Sequence, residues 1–303
     1  MNLSKFHGII PAFYACYDDQ GNISEERTAA FCDYYLEKQV QGLYVGGSSG
    51  ECIYHSLEER KAVLTYVARR LQGRMTLIAH VGAPSTKDSI ELAKHAEALG
   101  YDALSAIPPI YFKLPDRAVA RYWNDIMEAS ELPFIIYNIP QTTGYTLTPA
   151  MFKQLLANPK VIGVKNSSMP PMDIERFKAA GGDAVVVFNG PDEQFVAGRI
   201  MGAAAGIGGT YGAMPELFLQ ANRLVAEGRF EEAGQLQSRI NDIIVALCSL
   251  DGSMYAGIKE VLRRRGVNIG GVRRPLEDIT AEDAGRIDAV VGVIDEAVER
   301  FCS

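Results

Sequence analysis

The chain has 303 residues, 48% hydrophobic and 22% charged, ordinary values for a globular protein able to bury a full core. Its formal net charge of −7 disfavours a nucleic-acid partner, because phosphate binding needs a basic stripe. Five scattered cysteines (Cys16, Cys32, Cys52, Cys248, Cys302) without a CxxC pair give no support to a disulfide framework or a zinc site and fit a reducing compartment.

Short β-rich apolar runs alternate with amphipathic segments along most of the chain. The first run, Gly8–Tyr14, is followed by a helix start at Ser24 with Glu26 behind it. The second, Gly42–Val45, leads to a helix over Leu57–Leu71. There Leu57, Val63, Leu64, Val67, Ala68 and Leu71 share one face, and Ser56 stands three before Glu59 as in a capping box. Met75–Val81 precedes a helix start at Ser85, three before Asp88. The runs Ala103–Ile107, Phe134–Tyr137, Val161–Lys165, Ala184–Asn189 and Ala204–Gly208 complete a set of eight, with helical patterns between them and after the last.

That alternation predicts an α/β fold, a (β/α)8 TIM barrel. An open doubly wound sheet is the rival. The turn after the first run reads Phe13-Tyr14-Ala15-Cys16, however, without the glycine fingerprint such a sheet carries there. After about residue 230 the strand pattern stops, and Phe230–Leu250, Met254–Arg265 and Ala281–Phe301 read as three helices. A catalytic barrel over residues 1–230 and a C-terminal helical extension over 231–303, packed on it, are therefore expected. No basic segment with a long apolar run opens the chain, and no apolar stretch reaches the roughly 18 residues that span a bilayer. A cytoplasmic protein without a membrane partner is expected.

In such a barrel the chemistry gathers where strands end. Lys165 follows Val161-Ile162-Gly163-Val164 and precedes Asn166, Ser167 and Ser168, so it projects at an apolar mouth with no adjacent carboxylate. That setting favours the free amine needed for imine formation. Pairing with a carboxylate from another strand is the competing role. Tyr137 ends the preceding run, where a phenol can shuttle protons during carbon–carbon bond chemistry; simple packing is its alternative.

Gly46-Gly47-Ser48-Ser49-Gly50 offers two hydroxyls and close backbone approach, suited to a small carboxylate. It also matches G-x-S-x-G, but a hydrolase of that kind needs a late histidine, and the histidines are His7, His55, His80 and His95. These four show neither HxH nor HExxH spacing, so no metal is expected. Glu51 reads as a brace for its loop. The glycines from Gly206 to Gly212 suit close packing better than phosphate binding.

These strand ends jointly resemble the N-acetylneuraminate lyase and dihydrodipicolinate synthase family, over nearly the whole chain. The motifs are Gly-Gly-Ser-Ser-Gly-Glu (46–51), Tyr-Asn-Ile-Pro (137–140), Gly-Val-Lys (163–165) and Gly-Ile-Gly-Gly-Thr-Tyr (206–211). The resemblance implies a cofactor-free class I aldolase in which Lys165 forms an imine with pyruvate and Tyr137 is the acid/base. It implies that Ser48 and Ser49 hold the pyruvate carboxylate and that Ser49 relays protons. It further implies that Tyr111 is lent across a tight dimer contact within a homotetramer.

Within the family, Leu77-Ile78-Ala79-His80-Val81-Gly82 and Asn189-Gly190-Pro191-Asp192-Glu193 are similar to the sialic acid lyases, where Gly190, Asp192 and Glu193 would contact the sugar's polyol tail. Ser167 stands in place of those lyases' threonine and Gly209 in place of a tail-binding serine. Thr142 occupies the position where lysine-pathway synthases grip a second carboxylate with arginine. The resemblance thus implies cleavage of N-acetylneuraminate or a similar 2-keto-3-deoxy sugar acid to pyruvate and an aldehyde sugar. Dihydrodipicolinate synthase, a 2-keto-3-deoxygluconate-type aldolase, and a keto-acid-binding barrel without turnover are the alternatives.

Overall fold

A computed structural model describes residues 2–302. Eight strands pair in parallel in sequence order, and the last closes on the first. They are β1 (Gly8–Phe13), β2 (Gly42–Val45), β3 (Thr76–His80), β4 (Ala103–Ala106), β5 (Phe134–Asn138), β6 (Val161–Asn166), β7 (Val186–Asn189) and β8 (Ala205–Gly208). Apart from the half-buried Gly8, every strand residue is buried. A parallel strand covered on both faces has no solvent side to alternate with, which is why these segments read as unbroken apolar runs.

Two cores result. Ile10, Ile78, Ile135, Val186, Phe188 and Ile207 fill the barrel's interior. Leu43, Val45, Leu77, Leu104, Ile136 and Val164 face outward and pack against the helices. The helix Leu57–Leu71 forms over the span that its periodicity predicts, and the Ser56–Glu59 capping box is complete. Ser24 and Ser85 also cap their helices, accepting from the backbone N–H groups of Arg27 and Asp88.

The differences from the sequence reading are local. The run that begins at Ala184 starts in a 3-10 turn, so β7 opens at Val186. Two short helices, Pro140–Thr143 and Pro149–Leu155, separate β5 from β6. The C-terminal helices span Phe230–Cys248, Met254–Arg264 and Asp283–Cys302. The first of them buries Leu236, Ile240, Ile243 and Leu247 and packs on the helix Pro215–Ala226, which follows β8. No helix among the described residues is long and apolar enough to cross a membrane.

Gly163 shows how little room the barrel wall allows. A Cβ there would lie 2.0 Å from the carbonyl oxygen of Val186 on β7. Gly163→Ala must force β6 away from β7, and overpacking of this kind costs about 1–3 kcal/mol. Lys165, two residues on along the same face, would move with the strand. Urea denaturation should show a lower midpoint; an unchanged midpoint would refute this account of the wall.

Candidate active site

Strand periodicity decides which residues meet. Side chains two apart share a face. On β5 and β6 the pairs Ile135–Gly163 and Tyr137–Lys165 stand in register and point into the barrel. Lys165 is 5% exposed, and its Nζ lies 4.0 Å from the ring centroid of Tyr137 and 4.5 Å from that of Tyr44 on β2. Lys165 forms no ion pair with any carboxylate among the described residues, so the competing role considered for it is absent. Its charge is felt by Asp192 and by His80.

The floor beneath this pair is aromatic. Tyr44 and His80 both meet the Tyr137 ring edge-on, at 5.9 and 6.1 Å. Tyr44 donates its hydroxyl proton to Ser105 Oγ at 2.9 Å. His80 Nδ1 lies 2.9 Å from the carbonyl oxygen of Gly46, while its Nε2 accepts from the backbone N–H of Ile107 at 3.3 Å. These partners select the neutral tautomer protonated at Nδ1. Burial, reinforced by the nearby Arg60 guanidinium, holds the imidazole down to about 3.

Behind the pair, the ends of β5 and β6 are laced together. Asn138 Nδ2 donates to Asn166 Oδ1 at 2.7 Å, Asn166 Nδ2 to Ser168 Oγ at 2.8 Å, and Ser168 Oγ to Asp173 at 2.5 Å.

The Ser48–Gly50 turn caps β2, with Ser49 buried and Ser48 half-buried. Tyr14, at the end of β1, and Tyr255, from the C-terminal helix Met254–Arg264, lie beside Ser49; their rings meet edge-on at 5.7 Å, and the buried Tyr14 hydroxyl has no hydrogen-bond partner among the described residues. Burial pushes the Tyr255 phenol up to about 12 and that of Tyr14 well above its usual range. Beside them opens a cleft of about 530 Å³, with Ser48, Ile107, Thr142 and Tyr255 on its walls.

On the opposite rim Asp192 is buried. Its Oδ2 accepts from the backbone N–H and the hydroxyl of Thr210, at 2.8 and 2.6 Å, and its Oδ1 has no partner among the described residues. Burial pushes this carboxyl up to about 6, against the two Thr210 hydrogen bonds. Ser167 packs so tightly on Gly190 that a Cβ there would lie 2.0 Å from its Oγ. Glu193 is exposed beside Asp192.

Gly209 faces the serine loop: a Cβ would lie 2.8 Å from Ser49 Oγ and 3.3 Å from the Tyr14 hydroxyl. A serine at this position would displace Ser49, so the glycine keeps that hydroxyl in place. Tyr111 does not join the cluster within one chain. It is 92% exposed, with a left-handed φ of +81°, and its ring rests on Phe112.

Sequence reasoning missed Tyr14, Tyr44, Tyr255 and the role of His80. Only the inward alternation of strand residues, applied to every strand, pointed to Tyr44 and His80. Nothing local marks Tyr255.

The neutral His80 makes a testable contribution. In the unfolded chain it titrates near its usual 6.5. Stability from its neutral state is therefore complete above pH 6.5. It is lost as the pH falls toward 3, by at most about 1.4 kcal/mol per pH unit. His80→Gln removes this titration, so the stability gap between wild type and variant should shrink from pH 7 to pH 4. A gap that stays constant in denaturation at the two pH values would mean that His80 is charged in the folded protein.

A model described as the dihydrodipicolinate synthetase family matches residues 5–293. An N-acetylneuraminate lyase of Mediterraneibacter gnavus is 51% identical over 302 residues, 99% of this chain and 96% of that protein. One of Rhizobium meliloti is 37% identical over 291 residues, 96% of each. The solved structure of wild-type Ruminococcus gnavus sialic acid aldolase superposes with a TM-score of 0.97 at 51% identity, covering 98% of this chain and 99% of its own.

Proposed function

The chain belongs to the dihydrodipicolinate synthetase family, and from that premise we propose that it is a pyruvate lyase cleaving N-acetylneuraminate or a similar 2-keto-3-deoxy sugar acid. The observation that carries the reading is the buried Lys165 amine beside the Tyr137 phenol, on adjacent strands in register.

Lys165 Nζ attacks the C2 ketone of the open-chain sugar acid, and the carbinolamine loses water to give an imine. Tyr137, having given its phenolic proton to the departing water and so become a phenolate, then takes the proton of the C4 hydroxyl, the C3–C4 bond breaks, and the aldehyde sugar leaves. The bonding electrons pass into the imine as an enamine. Protonation at C3 and hydrolysis release pyruvate and regenerate the amine. Ser48 and Ser49 hold the substrate carboxylate, and Ser49 connects Tyr14 and Tyr255 to the proton path. The neutral His80 adds no charge of its own to the buried floor beneath Tyr137.

Asp192 and Glu193 accept hydrogen bonds from the hydroxylated tail, a role supported by the unpartnered Asp192 oxygen. Thr142, on the cleft wall, cannot supply the bidentate charged grip that an arginine gives a second carboxylate, which favours a sugar acid over aspartate semialdehyde.

Borohydride added with pyruvate should reduce an adduct onto Lys165, located by peptide mass spectrometry; an adduct on another lysine would remove the nucleophile. Tyr137→Phe should lower turnover by about 10²–10⁴-fold while pyruvate still forms the adduct. A coupled assay of pyruvate release across sugar acids should show N-acetylneuraminate or a close relative cleaved. Efficient condensation with aspartate semialdehyde instead would reassign the substrate.

We also propose a homotetramer of two tight dimers in which Tyr111 completes the partner's site. The fully presented Tyr111–Phe112 pair, held in a left-handed turn, supports it. Sedimentation should give four copies, and a monomer that turns over at full rate would contradict this. The five free cysteines fit a cytoplasmic setting.

A further inference from the structure

Resting on the roles just given to Lys165 and the Ser48–Ser49 loop, we propose that Lys259 is a positioning residue. With Glu51 it forms a buried ion pair that sets the hydroxyls cradling the pyruvate carboxylate. The pair brings together three parts of the chain.

Lys259, on the C-terminal helix Met254–Arg264, directs its ammonium to Glu51 Oε1 at 2.7 Å and to the carbonyl oxygens of Ala15 at 2.9 Å and Gly271 at 2.6 Å. Glu51 Oε2 accepts from the backbone N–H of Arg273 at 2.7 Å and from the Tyr17 hydroxyl at 3.2 Å. Three ammonium donors and both carboxylate oxygens are thus engaged, with the two side chains 1% and 0% exposed.

The partners place the cradle. Ala15 adjoins Tyr14, whose hydroxyl stands beside Ser49 Oγ over Gly209, and Glu51 lies two residues beyond Ser49 itself. The turn's own bonds, from Gly50 N–H to Gly47 O at 3.0 Å and from Glu51 N–H to Ser48 O at 2.9 Å, give it a shape but no address on the barrel. Lys259 supplies the address by fixing the ends of β1 and β2 to one ammonium group. Glu51 also holds a left-handed backbone, φ +55°, which a residue with a Cβ adopts only when its surroundings enforce it. A buried ion pair is often replaceable by apolar groups without loss of stability, whereas removing one partner strands a charge. The two effects can therefore be separated.

The test uses the whole protein. Wild type is titrated with pyruvate and the imine trapped with borohydride; the absence of any adduct would remove the Lys165 reading, and this proposal with it. Glu51→Gln strands the Lys259 charge, whereas Glu51→Gln combined with Lys259→Met removes both charges. The double variant should melt close to wild type yet need about 10-fold more pyruvate for half-maximal trapping, with a near-normal rate at saturation. Recovery of both melting temperature and pyruvate affinity would overturn the proposal, as would a folded Glu51→Gln variant with wild-type affinity. If the double variant does not melt cooperatively, Lys259→Arg decides. Its planar fork keeps the charge but cannot serve the Ala15 and Gly271 carbonyls in the same geometry. Weakened pyruvate binding with a native circular-dichroism spectrum supports positioning, and unchanged binding overturns it.

Discussion

A closed ring of eight parallel strands leaves an interior with room for side chains and nothing else, and every strand contributes to it at every second residue. Most of the column is filled by apolar groups such as Ile10, Ile78, Ile135 and Ile207. Polar groups can stand on it only at the open end, where a substrate or a neighbouring strand satisfies them. Tyr137 and Lys165 are inward residues at that end on adjacent strands. The aromatic floor, the hydroxyl loop and the asparagine chain behind β5 and β6 are arranged around that one adjacency.

The barrel could be read from the sequence because its signals are local. Val161-Ile162-Gly163-Val164 announces a strand covered on both faces, and Ser56 with Glu59 announces a helix start; neither depends on residues far along the chain. Lys165 and Tyr137 could be read because they terminate such runs. The support around them could not. Lys259 and Glu51 are 208 positions apart, and a lysine in an amphipathic helix ordinarily faces water. Tyr255 belongs to a segment that looked like an appendage, yet it interacts with Ser49. For Asp192 the local motif suggested a polar contact. Its division between Thr210 and an unpartnered oxygen buried against Gly208 follows from two loops meeting, which no spacing encodes.

The electrostatics of the site are local rather than global. The chain is acidic overall, yet the groups nearest Lys165 are phenols, hydroxyls and a neutral imidazole. Burial sets each of these protonation states: it keeps the Tyr14 and Tyr255 phenols protonated, keeps His80 uncharged, and brings Asp192 near the neutral range.

Several of these polar groups occupy volume that a facing glycine leaves empty. Ser167 stands against Gly190, Asp192 against Gly208, and Ser49 against Gly209. Each is a lock made of two positions at or beyond the ends of different strands, so the two cannot drift independently. A larger residue at the glycine is excluded while its partner stays, and a shorter partner leaves a void until the glycine is filled. Contacts of this type give strongly non-additive effects. Substrate preference in this mouth should therefore be re-engineered through paired libraries. Site-by-site scans would score each half as intolerant and miss the combinations that reshape the pocket.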